Sequence, residues 1–274
     1  MIVELLPLFI TLLVAGALAG ITAGLFGNGG GFVVVPALVF VFSILADPTS
    51  DLIFVAIGTS LATIVISSAR SVMAHRAKGA VDFDVVKSWA PWLLLGVGVG
   101  LYLASFARPN QLYSVFAGGV LVYSVYFLFP KALSNMTFSE TMPTGLARAS
   151  IASVLGGFSA LLGIGGGTPT VITMVACSRP IYQAVATASG VGFIIGLGGA
   201  IGFLILGLGK SELPIGSIGY INLPSLFAMG IMSLFTAPIG AKWAHSLDED
   251  VLKRFFGIYL VAVSLSMFWK ASQI

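Results

Sequence analysis

The chain has 274 residues, of which 58% are hydrophobic and only 8% are charged, and its mean hydropathy is +1.06. A soluble domain carries about 25% charged residues, so this composition excludes an ordinary soluble fold. The net charge of +3 is small and dispersed along the chain, which argues against a nucleic-acid-binding protein. The single cysteine, Cys177, excludes an intrachain disulfide, and no CxxC or HxxxH pattern indicates a metal site. No cofactor is therefore expected.

Apolar segments of about 20 residues, enough for one helical crossing of a bilayer, recur along the whole chain. In the first part they cover 5–26, 52–73, 89–106 and 112–129, with a shorter segment at 32–45. In the second part they cover 147–162, 182–208, 221–243 and 251–269, with a shorter segment at 171–177. No Lys or Arg precedes the first segment, so it is predicted to be a membrane helix rather than a cleaved signal peptide.

A glycine run interrupts the apolar pattern twice, at matching places. The first is Gly27-Asn28-Gly29-Gly30-Gly31, and the second is Gly163-Ile164-Gly165-Gly166-Gly167. The glycines of the two runs align at one constant offset. Further on, Ala56-Ile57-Gly58-Thr59 aligns with Ala184-Val185-Ala186-Thr187 at nearly the same offset. We therefore predict two transmembrane repeats, 1–130 and 147–274, joined by a polar connecting loop at 131–146.

The distribution of positive charge indicates how the repeats are oriented. If each short segment after a glycine run is a separate element, each half has five elements and the halves are inverted. One side then carries ten basic residues, namely Arg70, Arg76, Lys78, Lys87, Lys131, Arg148, Arg179, Lys242, Lys253 and Arg254. The other side carries three, namely Arg108, Lys210 and Lys270. Parallel halves would give a less asymmetric split of eight to five, so the positive-inside rule favours inverted repeats with both termini outside.

The sequence thus predicts an all-α polytopic membrane protein with two inverted repeats of about five helical elements each, broken at the glycine runs. Broken helices at corresponding positions of two repeats are the best sequence pointer to a transporter's binding site. A helix that restarts after a glycine run presents unpaired N–H groups and the positive end of its dipole, which suits an anion. Thr168 fits the N-cap of the second restarted helix, with Pro169 at its first position.

The backbone N–H groups and side chains expected to bind the anion belong to Asn28, Gly29, Gly30, Gly31, Gly165, Gly166, Gly167 and Thr168. The hydroxyls of Thr59, Ser60 and Thr187 lie at matched places within apolar spans and are further candidates. The competing interpretations are that the glycines only allow close helix contact and that the hydroxyls only bond to helix backbone.

No acidic residue or histidine is expected deep within a span, so the sequence offers no proton relay. His75 and the segment from it up to Lys87 are assigned to a charged loop. There is also no Ser/His/Asp set, metal cluster or paired carboxylate at depth, which argues against a membrane enzyme.

The glycine runs, together with Val35-Pro36-Ala37-Leu38 and Ala56-Ile57-Gly58-Thr59-Ser60, resemble the TauE/SafE sulfite exporter family. The resemblance extends over nearly the full chain, including its duplicated order. It implies transport of sulfur-containing anions such as sulfite, sulfoacetate or related organosulfonates. The second run departs from the first, with Thr168-Pro169-Thr170 in place of Phe32-Val33-Val34, so the two half-sites are not expected to be equivalent.

The function that we predict is secondary transport of a small sulfur-containing anion, in the export direction, across the bacterial inner membrane by alternating access. A channel-like anion pore and a transporter of non-sulfur carboxylates remain alternatives, as does a membrane scaffold without transport activity. The expected partners are the anion and the lipid bilayer, without nucleic acid. A homodimer is compatible with the sequence, which leaves the coupling ion and the oligomeric state open.

Overall fold

The computed structural model describes residues 2–27, 29–45, 51–129, 139–243 and 249–273. The helices of the first half are α1 (Ile2–Phe26), α2 (Gly31–Leu45), α3 (Leu52–Arg76), α4 (Phe83–Phe106) and α5 (Pro109–Leu128). Those of the second half are α6 (Gly145–Leu162), α7 (Gly167–Ala176), α8 (Ile181–Leu206), α9 (Leu223–Trp243) and α10 (Glu249–Ser272). Two short antiparallel strands, β1 (Ser217–Ile218) and β2 (Ile221–Asn222), lie between α8 and α9.

Among the described helices, eight are long and apolar enough to cross a membrane, and these are all except α2 and α7. Large apolar side chains cover their outer surfaces, for example Phe106, Val154 and Trp269, each of which is about two-thirds exposed. A water-soluble monomer rarely exposes so much apolar surface, whereas a bilayer solvates it. The prediction of an all-α, multi-pass membrane protein is therefore confirmed.

The two short helices follow the glycine runs, as the sequence predicts. At 1.5 Å per residue, the 15 residues of α2 extend about 22 Å and the 10 residues of α7 about 15 Å. Both fall short of the hydrocarbon core, which is about 30 Å thick.

Helices α3 and α8 cross at the centre of the molecule. They contact each other extensively, and the hydroxyl oxygens of Ser71 and Ser189 lie 2.9 Å apart between them. Ile57, Leu61 and Ile64 on α3 are completely buried. The centre of the molecule is therefore formed by matched helices from the two halves.

Most of the extensive contacts between helices come in pairs, in which one contact becomes the other when each helix of the first half is exchanged for its counterpart in the second half. The contact between α1 and α9 corresponds to the contact between α6 and α4. In the same way, the contact between α3 and α9 corresponds to the contact between α8 and α4. Likewise α2 packs on α3 as α7 packs on α8, while α3 pairs with α8 and α5 with α10. Exchanging the first five helices for the second five leaves these contacts unchanged, whereas the contact between α1 and α2 has no equally extensive counterpart between α6 and α7.

Two loop assignments from the sequence are wrong. Helix α3 continues to Arg76 and α4 already begins at Phe83, so Lys87 is helical rather than part of a loop. The reason is an N-cap, because the Asp82 carboxylate accepts hydrogen bonds from the backbone N–H groups of Asp84 and Val85, at 3.2 and 3.1 Å. His75 is buried within α3 rather than in a loop. Lys253, which belongs to the predicted span 251–269, lies in the first turns of α10 with only 8% of its surface exposed.

Candidate functional site

The first glycine run reverses the chain. After α1 ends at Phe26, Gly27, Gly29 and Gly30 have φ values of +66°, +71° and +83°, a region that residues with a side chain rarely adopt. A Cβ atom at Gly30 would overlap the carbonyl oxygen of Ala19, seven residues before the end of α1. The start of α2 therefore lies back alongside α1, at membrane depth. Asn28, which we predicted to line the site, falls outside the described residues.

The second run has the same backbone design. Gly163, Gly165 and Gly166 have φ values of +64°, +70° and +69°, and Gly166 is the N-cap residue of α7. The prediction that Thr168 is the N-cap is wrong, because these glycine conformations end the turn two residues earlier. The Gly166 carbonyl accepts hydrogen bonds from the backbone N–H of Thr170, at 3.2 Å, and from its hydroxyl, at 2.8 Å.

The two glycine runs meet. A Cβ atom at Gly31 would overlap the carbonyl oxygen of Gly163, and one at Gly27 would lie 2.6 Å from the carbonyl oxygen of Val185. Gly163 in turn lies against Ile57, which the sequence repeat aligns with Val185. Each run thus touches the central helix of the opposite half, and all the described residues of both runs are buried.

Ser60 and Ser67 on α3 hold the carbonyl groups of the two runs. The Ser60 hydroxyl donates to the Gly163 carbonyl at 2.8 Å, and the Ser67 hydroxyl donates to the Gly29 carbonyl at 2.9 Å. Ser60 is therefore next to the second run, as a site residue must be. It also has a structural role there, because it pairs a backbone oxygen that the helix break leaves exposed.

Thr59 and Thr187 contact helix caps rather than glycine backbone. The Thr59 hydroxyl oxygen accepts from the backbone N–H of Asn222 at 2.8 Å, and that of Thr187 accepts from the backbone N–H of Asp82 at 2.9 Å. Asn222 and Asp82 immediately precede α9 and α4. These two bonds join the two halves at matched positions.

Three buried hydroxyls around the second run have no hydrogen-bond partner, namely those of Ser68, Ser159 and Thr168. Each of these residues is at most 2% exposed. A Cβ atom at Gly166 would lie 3.1 Å from the Ser159 oxygen, and one at Gly192 would lie 3.0 Å from the Ser68 oxygen and 3.2 Å from the Gly165 carbonyl. A buried hydroxyl without a partner is costly, so this group is suited to bind a polar ligand.

Sequence reasoning predicted Thr168, ranked Ser68 low and missed Ser159. Ser159 lies four residues before Gly163, one turn inside α6. Its only sequence signal is a hydroxyl one helical turn before a break, which does not distinguish it from hydroxyls that bond to their own helix.

The loop before α9 covers the end of α3 that lies near Thr59. The Tyr220 hydroxyl donates to the Asp51 carboxylate at 2.7 Å, and the Tyr220 ring stacks on Phe54 with centroids 5.2 Å apart. Burial raises the pKa of the Tyr220 phenol, and so do the hydrogen bond that the phenol donates to Asp51 and the negative charge of that carboxylate. The Lys210 ammonium lies 3.9 Å from the same carboxylate. This end of the molecule is closed by aromatic and charged contacts.

The chain is similar to known membrane proteins over almost its whole length. The family model described as sulfite exporter TauE/SafE matches residues 12–267. A probable membrane transporter protein of Haemophilus influenzae is 34% identical over 264 residues, which cover 94% of this chain and 97% of the relative. Probable membrane transporter proteins of Methanocaldococcus jannaschii and Bacillus subtilis (YunE) are 27% and 30% identical, and each match covers 96% of this chain.

No solved structure matches the chain. The family model nevertheless covers nearly all of it, and the two helix breaks that the glycine runs predict are present. The chain therefore belongs to the TauE/SafE sulfite exporter family and is a membrane transporter rather than an enzyme.

Proposed function

We propose that this protein is a secondary transporter that exports a small sulfur-containing anion, such as sulfite, sulfoacetate or a related organosulfonate, across the bacterial inner membrane. The family description supports the substrate class. The preference for an anion has a separate physical basis in the geometry of the glycine runs.

The observation on which this proposal depends is that α2 begins at Gly31, which lies against Gly163 of the second run, and that α7 begins four residues after Gly163, at Gly167. The first N–H groups of both helices have no partner within the helix, and the helix dipoles direct positive potential toward the point where each begins. In a water-poor interior such a point favours negative charge, and glycine lets an anion come close to the backbone. The free hydroxyls of Ser68, Ser159 and Thr168 add donors around the second run.

In this proposal the anion is bound by backbone N–H groups and hydroxyls drawn from both runs. The backbone contribution comes from Asn28, Gly29, Gly30, Gly31, Gly165, Gly166 and Gly167. Thr168 and Ser60 donate hydroxyls, joined by Ser68 and Ser159. Thr59 and Thr187 contribute to the site indirectly, by accepting hydrogen bonds from Asn222 and Asp82, the residues that precede α9 and α4.

Alternating access between two inverted repeats is the mechanism that we propose for this transporter. The helix contacts that recur when the two halves are exchanged support it. So do the Thr59–Asn222 and Thr187–Asp82 hydrogen bonds, which are matched junctions between the halves. Breaking one junction while keeping the other would open one face of the site. In this proposal the closed cluster around Tyr220 lies on the outer side, so that the site is closed to the outside in this state.

The first test is counterflow in proteoliposomes, in which unlabelled sulfite inside drives transient uptake of labelled sulfoacetate. A carrier accumulates label transiently, whereas a channel-like pore only equilibrates it. Acetate inside should not substitute for sulfite. Accumulation driven equally by acetate would favour the carboxylate alternative, and simple equilibration would favour the pore.

The site itself is tested by Thr168→Val, which removes the free hydroxyl and keeps the shape. We expect the sulfite concentration for half-maximal counterflow to rise at least about tenfold, because one hydrogen bond to a charged ligand is worth about 1.5–3 kcal/mol. The matched control is Thr173→Val on the same helix, whose hydroxyl bonds to the Pro169 carbonyl at 2.8 Å and should be dispensable. Equal counterflow in both variants would remove Thr168 from the site.

A further inference from the structure

A small cavity opens beside the second glycine run. It has a volume of about 20 Å³ and is enclosed by the ends of α1 and α5 and by α7, α8 and α10. Its lining includes Phe26, Phe127, Thr168, Val185 and Lys253. Val185 touches Gly27, so the cavity also adjoins the first run. A cavity of this size accommodates a group of about the size of a water molecule.

Two polar side chains face this otherwise apolar space. The Thr168 hydroxyl, in the first turn of α7, is buried and has no hydrogen-bond partner. Lys253 is 8% exposed, and its ammonium lies 5.7 Å from the centre of the Tyr126 ring. The aromatic face stabilises the cation and fixes its position. A buried cation, a free hydroxyl and a helix N-terminus therefore converge on one cavity.

The equivalent place in the first half is filled. The repeat aligns Thr168 with Phe32, which is completely buried. The Phe32 ring lies 5.4 Å from that of Tyr123 and 6.1 Å from that of Phe256, measured between centroids. Aromatic rings thus occupy the space that the cavity leaves open in the second half. The polar cavity is a specific feature of the second run, not a consequence of the repeat.

We propose that this cavity is an access site that takes up one oxygen of the charged head of a compact oxyanion, such as sulfite or a sulfonate, before the anion reaches the glycine runs. Lys253 supplies the attracting charge and Thr168 the first hydrogen bond. Arg179 lies two residues before Ile181, which lines the cavity, and Arg254 follows Lys253. Because the charge distribution assigns both arginines to the cytoplasmic side, the anion enters the cavity from that side in this proposal. This inference rests on the proposed function, since it concerns the same anion and the same path.

The test measures sulfite binding to the full-length protein in detergent, at several salt concentrations, for the wild type and three variants. Lys253→Met removes the charge and keeps the length of the side chain, whereas Lys253→Arg keeps the charge. Lys242→Met is the matched control, because Lys242 is an exposed lysine near the end of α9. We expect Lys253→Met to raise the Kd for sulfite about tenfold and to weaken its salt dependence, since a partly buried cation both attracts and binds the anion. Lys253→Arg and Lys242→Met should stay within about twofold of the wild type.

The outcomes separate this inference from the proposed function. If the wild type binds sulfite and Lys253→Met, shown to be folded by its unchanged thermal unfolding, binds equally well, the access site is wrong and the transporter proposal stands. If the wild type binds acetate as well as sulfite, the substrate class is wrong, and the loss in Lys253→Met still identifies an anion site. If Lys253→Met unfolds, sulfite binding by Lys253→Gln and Lys253→Arg tests the site instead, with a loss expected in the first variant and wild-type binding in the second. Loss of binding in Lys253→Arg as well would overturn the role of charge.

Discussion

At the residue scale, hydroxyls of similar burial have different roles. The Ser60 hydroxyl pairs the Gly163 carbonyl across the contact between the two runs. The Thr168 hydroxyl has no partner, although Thr168 is only 2% exposed. A satisfied buried hydroxyl stabilises the fold, while an unsatisfied one lowers stability and is maintained only where function uses it.

This difference makes a prediction about stability. Ser60→Ala should lower the free energy of unfolding by about 1–3 kcal/mol, because it leaves a buried carbonyl without a donor. Thr168→Val should leave that free energy unchanged or raise it by about 1 kcal/mol, since it removes an unsatisfied group. Unfolding by SDS in mixed micelles measures both, with the exposed Ser105→Ala as a control, because its hydroxyl bonds only within its own helix. A large loss in Thr168→Val would mean that its hydroxyl is structural.

At the element scale, the short helices α2 and α7 are defined by what precedes them. Glycines with positive φ end α1 and α6 and allow the chain to turn back within the membrane. Irregular backbone at that depth persists only where protein or a watery cavity satisfies it. Here Ser60 and Ser67 on α3 bond to the carbonyls of the breaks. The broken helices therefore depend on the unbroken central helix beside them.

The N-cap of α4 permits a further prediction about the free energy of unfolding. Asp82→Ala removes the two hydrogen bonds to the first turn of α4 and should lower the free energy of unfolding by about 1 kcal/mol. Asp82→Asn should retain most of it, because asparagine is an equally good N-cap. SDS titration of the two variants beside the wild type checks this. A loss of the same size in both variants would show that the carboxylate charge matters rather than its capping geometry.

At the scale of the whole molecule, most of the extensive helix contacts recur when the first five helices are exchanged for the second five. Lys78 lies between α3 and α4 and Ser211 between α8 and α9, and both are exposed. If the repeats are inverted, these corresponding loops lie on opposite sides of the membrane. Parallel halves would put them on the same side.

Single cysteines decide between the two topologies. In a Cys177→Ala background, Lys78→Cys should react with a membrane-impermeant maleimide only after the cells are permeabilised. Ser211→Cys should react in intact cells. Labelling of both from the same side would contradict inverted repeats. Cys177 itself is buried, so its removal should not change the labelling pattern.

Much of the fold and part of the site could be predicted from the sequence. Hydropathy located all eight long helices, because in a bilayer each span must be apolar along its own length. The two glycine runs predicted the broken helices for a similarly local reason, since positive φ is a property of the glycine itself. Helix boundaries failed where a cap decided them, as at Asp82, and Thr168 was placed at the wrong position of α7.

The sequence by itself determined a polytopic α-helical membrane protein with two matched helix breaks, because these follow from local composition and conformation. Only the tertiary structure decided that the two breaks touch, that Ser159 and Ser68 surround the second one, and that Lys253 faces a cavity beside Thr168. It also decided that Thr59 and Thr187 bond to the caps of the opposite half. These are contacts between residues up to 163 positions apart, and they depend on how the helices pack across the centre rather than on any local pattern.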